Sequence, residues 1–156
     1  MENGLSRMPP DRAGHFTHYE HDPSDVHSLS NNRIRSIRED AQGRLWVATA
    51  NGLNRMNLDA PGRFERYLHA PGPPDAISPV PGHALHHQHV SKQTPGRMWI
   101  GSEGGLIQFD TERSVVERVV PLASDRTQAR AVMNVSPAPA NADVLWVATP
   151  GTGLIR

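Results

Sequence analysis

One unit of sequence occurs three times along this chain. Residues 43–49 read Gly-Arg-Leu-Trp-Val-Ala-Thr, and residues 96–102 read Gly-Arg-Met-Trp-Ile-Gly-Ser. A shorter copy, Val-Leu-Trp-Val-Ala-Thr, occupies residues 144–149, so the chain's 3 tryptophans stand at one position of the repeat. A period of about 50 residues is typical of four-stranded propeller blades and is longer than that of most helical repeats. The repeat therefore predicts a β-propeller architecture.

Each copy has the local chemistry of β-strands. Leu45–Thr49 is a short apolar run with β-branched members, and turn signals flank it at 40–43 and 51–52. A helix over 32–40 is the alternative, because Ile34 and Ile37 lie three residues apart. Recurrence of the segment before a turn and a tryptophan strand favours a strand. The other predicted strands are 34–39, 52–56 and 64–67 in the first copy, and 84–90, 105–109 and 116–119 in the second.

These patterns predict an all-β chain folded as a partial β-propeller. It has about two full four-stranded blades, an outer strand before them and an incomplete third blade. The segment 136–143 reads as irregular, with two prolines before the third tryptophan strand. The expected organisation is a disordered N-terminal segment (1–14), an outer strand and inter-blade loop (15–33), a blade (34–68), a Pro/Gly-rich loop (69–83), a blade (84–120) and a degenerate, truncated blade (121–156).

Several residues recur at equivalent positions and are interpreted as structural. A tryptophan that stands in every copy fits core packing better than sugar stacking, since a ligand contact has no reason to recur in each blade. Asp40 and Gly43 are predicted to fix a turn, through a side-chain hydrogen bond and a positive φ. A calcium site is the alternative, but one carboxylate offers too few ligands. The structural repeat positions are Asp40, Gly43, Trp46, Thr49, Gly52, Gly96, Trp99, Gly105, Trp146, Thr149 and Gly153.

Composition excludes several classes of function. The chain has no cysteine, which removes disulfides, thiolate zinc sites and cysteine nucleophiles. Its 16 Lys+Arg balance 16 Asp+Glu without a basic run, so we expect no nucleic-acid partner. Neither a signal peptide nor a long apolar span is evident, and we expect no direct membrane contact. We also predict no cofactor and no catalytic residue.

A histidine cluster at 83–89 is the most reactive group of side chains in the sequence. His87 and His89 would face one side of a strand as a pair, and histidine is the commonest metal ligand. No carboxylate stands at a metalloprotease spacing and no thiolate accompanies the cluster, so a metal site is not predicted. His86, His87 and His89 are weak candidates for ligand binding, the alternative being a solvated or channel-lining strand.

The first copy resembles the two-component regulator propeller repeat. The resemblance rests on Phe-x-x-Tyr at 16–19, Ser-Leu-Ser-Asn-Asn at 28–32, Glu-Asp-Ala-Gln-Gly-Arg-Leu-Trp-Val-Ala-Thr at 39–49 and Asn-Gly-Leu-Asn-Arg at 51–55. The second copy lacks the Ser-Leu-Ser-Asn-Asn and Glu-Asp elements, and the third keeps little beyond Trp146, Thr149 and Gly153-Leu154. The resemblance extends over most of the chain after Gly14.

The resemblance implies a role in sensing. Members of this family have periplasmic or extracellular propellers ahead of a membrane span and an output, commonly a histidine kinase or hybrid kinase and sometimes a diguanylate cyclase. It implies a periplasmic, non-catalytic segment of a sensor that binds a small molecule or glycan in its channel or end loops. A propeller lyase of the streptogramin-inactivating type and a protein-binding scaffold are the alternatives.

The number of blades bears on how the chain exists. A propeller closes with roughly 4 to 8 blades, and closure is what hides its strand edges and blade faces. We therefore expect this chain to be a fragment whose partners are the remaining blades of a longer polypeptide. Assembly of several copies into a ring and a decayed reading frame are the alternatives.

Overall fold

The computed structural model describes residues 4–11, 14–57, 59–67, 85–90, 96–102, 105–122, 131–138, 141–150 and 153–155. These residues form strands, turns and bends, which confirms the all-β prediction. The part of the chain so described has no helix long and apolar enough to cross a membrane. The strands are β1 (Leu5–Arg7), β2 (Thr17–Tyr19), β3 (Ile34–Glu39), β4 (Leu45–Thr49), β5 (Gly52–Met56), β6 (Phe64–Tyr67), β7 (Leu85–Val90), β8 (Arg97–Ser102), β9 (Gly105–Asp110), β10 (Val115–Val120), β11 (Asn134–Ala138), β12 (Asn141–Thr149) and β13 (Gly153–Ile155).

The strands form antiparallel sheets in which neighbours along the chain are neighbours in the sheet. The first blade has the order β3-β4-β5-β6 and the second the order β7-β8-β9-β10. The third blade contains β11-β12-β13, and β1 pairs with β2 in an N-terminal hairpin. The three tryptophans lie in the second strand of the three blades. This arrangement confirms a partial propeller with two four-stranded blades and an incomplete third.

The N-terminal hairpin corrects the prediction of disorder over 1–14. Leu5–Arg7 pairs with Thr17–Tyr19, and Leu5 is buried against the first blade. The sequence signal is Asn-Gly-Leu-Ser-Arg-Met at 3–8, which repeats Asn-Gly-Leu-Asn-Arg-Met at 51–56. Gly4 has a φ of +69°, and a Cβ there would lie 2.2 Å from the Tyr19 carbonyl oxygen. The hairpin thus holds the third and fourth strands of another blade unit, and glycine is required where it begins.

Three apolar clusters join the successive sheets. The tryptophan strand of the first blade supplies two of them, because alternate residues of a strand point to opposite faces. Trp46 and Ala48 pack against the second blade, whereas Val47 packs towards the N-terminal hairpin. A third cluster, which includes Leu106 and Val147, joins the second and third blades. The sheets of the first and second blades are therefore apolar on both faces, as expected when blades stack.

The third blade is more regular than the sequence suggested. The segment 136–143 was predicted to be irregular, yet most of it belongs to β11 and β12. Pro137 pairs with Leu145, and the register shifts between Pro137 and Ala138. Proline is tolerated on an edge strand beside a bulge, and β11 is an edge strand of this sheet. The predicted Pro/Gly-rich loop, 69–83, lies outside the described residues.

Candidate ligand-binding surface

The turn before the first tryptophan is built around one carboxylate. Gly43 has a φ of +74°, and its amide donates to the Asp40 carbonyl oxygen across 3.1 Å. Asp40 Oδ2 accepts hydrogen bonds of 2.7 Å from Trp46 Nε1 and of 2.7 Å from Arg44 Nε. Its Oδ1 accepts the backbone amides of Gln42 and Arg44, each at 3.0 Å. Both oxygens of the Asp40 carboxylate are therefore bonded within the protein. The Arg44 side chain occupies the place that a bound cation would take.

The charge of Asp40 follows from these contacts. Burial alone would raise the pKa of Asp40, but hydrogen bonds from Trp46 and Arg44 and the nearby guanidinium hold the pKa below its ordinary value. The group is therefore ionised at neutral pH. We conclude that Asp40 anchors the tryptophan strand and has no lone pair left for a ligand.

The tryptophans differ in how deeply they are buried. Trp46 is fully buried, and its ring centroid lies 5.3 Å from that of Phe109 and 5.6 Å from that of Tyr67. Trp99 is half-buried against the third cluster, and Trp146 is also half-buried. The side-chain environment is thus most core-like in the first blade, where the repeat is most complete.

The repeated hydroxyl and glycine positions form a common turn. Thr49 Oγ1 donates to the Gly52 carbonyl oxygen at 3.1 Å, and Ser102 Oγ donates to the Gly105 carbonyl oxygen at 3.0 Å. Thr149 pairs with Gly153 in the third blade. Gly52 and Gly105 have φ values of +109° and +131°, which favour glycine. These positions close the hairpin after the tryptophan strand. Gly96 is likewise in the left-handed region, with a φ of +83° at the entry to β8.

The Ser-Leu-Ser-Asn-Asn segment is held by a buried polar network. Asn54 accepts the Ser30 amide at 2.9 Å and donates from Nδ2 to Ser30 Oγ at 2.9 Å and to the Val47 carbonyl oxygen at 3.1 Å. Ser30 Oγ also lies 2.9 Å from Thr49 Oγ1. Ile107 takes the place of Asn54 in the second blade, where the serine motif is absent. The amide and the serine that it binds in the first blade are therefore both absent from the second copy.

The inner strands β3, β7 and β11 line up beside one another, with β7 between the other two. Both β3 and β7 contain a register shift: one lies between Ile34 and Ser36, the other between Leu85 and His87. Arg35 and His86 are therefore the extra residues of two bulges. His87 lies opposite Gly101 and His89 opposite Trp99 in the ladder. His83 lies outside the described residues, as do the side chains of β7. The inner strands thus bring the predicted histidine positions next to the exposed arginines of β3.

A concave surface lies at the outer strand of the first blade, away from the inner strands. An open cleft of about 450 Å³ is lined by all four residues of β6 together with Val26 and His27. Arg66 ties the adjacent loop down, since its Nε donates to the Ser28 carbonyl oxygen at 2.7 Å and its Nη2 to the Asp25 carbonyl oxygen at 2.7 Å. The sequence contained no signal for this cleft, because the residues that form it come from separate segments.

Residues 28–51 match the family model described as two component regulator propeller. A comparison with curated proteins found no match. The fold resembles the extracellular domain of the proposed hybrid two-component system BT3049 from B. thetaiotaomicron, with a TM-score of 0.61 and 23% identity over 82% of this chain and 18% of that one. The fold also resembles the extracellular domain of BT4673 from the same organism. The TM-score is 0.70 and the sequence identity is 19%, over 99% of this chain and 19% of that one.

A further solved structure with this fold belongs to a different system. It is PorZ, a surface component of the type-IX secretion system of Porphyromonas gingivalis, with a TM-score of 0.62 and 14% identity over 95% of this chain and 21% of PorZ. The chain spans about a fifth of the length of these matched chains. At these identities the likeness shows the propeller fold.

Proposed function

We propose that this chain, which carries a two-component regulator propeller repeat, is part of the ligand-sensing propeller of a two-component signalling receptor. The observation that supports this most directly is the match at 28–51, because it includes the Ser30, Asp40, Trp46 and Thr49 contacts described above. The likeness to extracellular domains of hybrid two-component systems supports a receptor context and a periplasmic or extracellular location. The output is a histidine kinase, a hybrid kinase or a diguanylate cyclase on the full-length protein.

In this proposal the segment binds a small molecule or glycan and does not transform it. The polar side chains of the motif in the first copy are engaged in structural hydrogen bonds: Asp40 with Trp46 and Arg44, and Asn54 with Ser30. Groups so used are unsuited to proton transfer or nucleophilic attack. The remaining exposed polar residues of β3 stand on the inner strands, where a propeller forms its channel.

The proposed partners of the segment are further propeller blades. Each described sheet packs on its neighbour through an apolar face, and the outermost faces need the same cover. Blades of a longer polypeptide would supply it, with other copies of this chain as the alternative. Neither nucleic acid nor the membrane surface is a proposed partner.

The test is a binding experiment that also follows the fate of the ligand. The full chain is titrated by calorimetry with a panel of neutral and acidic sugars and with a streptogramin, and the ligand is recovered and analysed by mass spectrometry. We expect saturable binding of at least one sugar, recovered unchanged. Consumption of the streptogramin would favour the lyase, and absence of binding across the panel would contradict the proposed function.

A further inference from the structure

We propose that the N-terminal hairpin of one copy completes the third blade of a second copy, so that two chains close into one ring. The inference goes beyond the proposed function, because it takes a second copy of this chain as the partner and holds whether or not a ligand is bound. It assigns a contact to the edge of β1 that faces away from β2, since the described hairpin is a sheet of two strands.

The hairpin is the outer half of a blade. Its sequence repeats that of β5 and β6, with the same spacing between the two strands. The ladders also agree in register, since Leu5 pairs with Tyr19 as Leu53 pairs with Tyr67. β1 and β2 are therefore the third and fourth strands of a blade, and the described part of the hairpin sheet lacks the first and second strands.

The hairpin has one covered face and one open face. The covered face packs on the first blade. Met8 and Phe16 lie on the open face and are 50% and 55% exposed. The equivalent residues of the first blade, Met56 and Phe64, are each 1% exposed, because the hairpin itself covers them. The open face therefore carries apolar side chains that a complete ring of blades would bury.

The third blade has the converse need. Its described strands are β11, β12 and β13, so the fourth strand is not among them. Trp146 and Ala148 are half-buried, whereas Trp46 and Ala48 are fully buried against the second blade. Trp99, which faces the third blade, is also half-buried. The third blade thus lacks the outer half that the hairpin supplies.

The first blade shows how the two halves would join. In the ladder of β4 and β5, Trp46 lies opposite Arg55, and the Arg55 guanidinium lies 5.7 Å from the centre of the Trp46 ring. The same register of β1 on β12 places Arg7 opposite Trp146. Arg7 is exposed within one copy and would lie over the Trp146 ring in the same way.

The joined blade also covers the tryptophan of the second blade. Phe109, in the third strand of the second blade, packs edge-on against Trp46 with the ring centroids 5.3 Å apart. Met8 follows the glycine of β1 at the same distance in sequence as Phe109 follows that of β9. In the joined blade Met8 therefore covers Trp99 as Phe109 covers Trp46. One contact buries an exposed methionine and a half-buried tryptophan together.

The hairpin would take the place of β13. The ladder of β12 and β13 has three residue pairs, from Val147 to Thr149. The equivalent ladder of β4 and β5 has five. β1 in that register therefore keeps the three pairs, adds those of Arg7 and Met8, and brings β2 as the fourth strand. Exchange of an equivalent element between copies is domain swapping, which is a low-cost route to a dimer.

The number of copies follows from closure. Each copy contributes two whole blades and the two halves of joined blades, which is three blades a copy. A ring of two copies has six blades and a ring of three has nine, whereas propellers close with roughly 4 to 8. The ring is therefore a two-fold dimer in which each hairpin enters the other copy.

The first measurement is the mass of the full chain in solution. We expect sedimentation equilibrium to give twice the 17.1 kDa of one chain. Met8→Asp should raise the dissociation constant of the dimer about a hundredfold or more, since the dimer would bury two unpaired carboxylates beside Trp99. Val26→Asp is the matched control, because Val26 is apolar, 70% exposed and outside the proposed contact; it should sediment as the parent does. Circular dichroism checks that each variant is folded.

A disulfide cross-link then tests the register. The chain has no cysteine, so introduced thiols have no competitor. Leu45 pairs with Met56 in the first blade, which places Met8 of one copy opposite Leu145 of the other. Facing residues of antiparallel strands have Cα atoms about 4.5–5.5 Å apart, within the range of a disulfide. A mixture of Met8→Cys chains and Leu145→Cys chains should form a cross-linked heterodimer under mild oxidation, and Val26→Cys with Leu145→Cys should not.

The inference is overturned if the parent chain sediments as a monomer, if Met8→Asp remains as dimeric as Val26→Asp, or if the two cysteine mixtures cross-link equally. A monomer that still binds a sugar from the panel above would refute the ring and leave the proposed sensing function standing. A dimer that passes these tests and binds no sugar would support the ring and contradict the sensing function.

Discussion

Replacing Asp40 with asparagine removes the charge on which the turn of the first blade depends. The oxygen of the new side chain would still accept the two backbone amides, but its amide nitrogen would face two donors, Trp46 Nε1 and Arg44 Nε, that now bond to Oδ2. Trp46 is fully buried and cannot turn to water. Leaving such a donor unsatisfied costs about 1–3 kcal/mol. Arg44 is partly exposed and adds less, so we expect a total loss of about 2–3 kcal/mol.

A loss of this size is readily measured. For a chain of this length, about 1 kcal/mol corresponds to roughly 2–4 °C, so the midpoint of thermal unfolding should fall by about 4–12 °C. Chemical denaturation followed by circular dichroism gives the free energy of unfolding directly. Asp59→Asn, which makes the same change at an exposed turn, is the control and should stay within about 0.5 kcal/mol of the parent.

The effect of pH has a definite sign. The pKa of Asp40 is lower in the folded chain than the ordinary value of about 3.9 for an unfolded aspartate. Its charge therefore stabilises the fold fully above about pH 5, and this contribution is lost as the pH falls through the folded pKa. The difference in stability between the parent and Asp40→Asn should be constant near neutral pH and shrink below about pH 4.

A double-mutant cycle with Trp46→Phe isolates the hydrogen bond between the two side chains. We expect a coupling energy of about 1 kcal/mol or more between Asp40→Asn and Trp46→Phe, because removing Nε1–H removes the donor that asparagine strands. The reasoning is refuted if Asp40→Asn costs no more than Asp59→Asn, or if the two changes are additive.

Two further substitutions test the contacts between and within blades. A Cβ on Gly101 would lie 2.6 Å from Val132 Cγ1 and 2.7 Å from the Val132 carbonyl oxygen. Gly101→Ala should therefore lower the free energy of unfolding by about 1–3 kcal/mol in denaturation experiments. An unchanged denaturation midpoint would mean that the second and third blades separate freely. Asn54→Ala leaves the Ser30 amide without its acceptor and removes the donor to Ser30 Oγ and to the Val47 carbonyl oxygen. It should cost about 2–3 kcal/mol, with faster hydrogen exchange at Ser30. Asn57→Ala, at an exposed position, should do neither.

The sequence repeat predicted those parts of the fold whose motif is complete in the first copy. The turn at Asp40, the tryptophan strand and the hairpin at Gly52 all follow from local chemistry: a carboxylate near backbone amides, an apolar run and a glycine. The short strand at Leu5–Arg7 was not predicted, although residues 3–8 repeat the pattern of 51–56, because two prolines follow it closely. Its stability comes from burial of Leu5 between sheets, which no local pattern records.

The candidate site was predicted less well than the fold. Histidines at 86, 87 and 89 were singled out by residue type, and the register adds that residue 86 stands at a bulge, which the sequence alone does not show. Arg35 was not singled out, since one arginine in a strand has no special pattern. The register places it at a bulge, and the next blade has a bulge at the equivalent position.

The interfaces between blades are unequal in a way that bears on mechanics. Trp46, Tyr67 and Phe109 form an aromatic cluster between the first and second blades, whereas the contact of the second and third blades is largely aliphatic, with Trp99 half-buried. When units interact only with their neighbours, the weaker contact yields first under heat or force. Because aromatic pairs add to the energy of area burial, we expect the contact between the second and third blades to yield first. A displacement caused by a ligand on the inner strands would then be taken up at that contact, while the first two blades move as a unit.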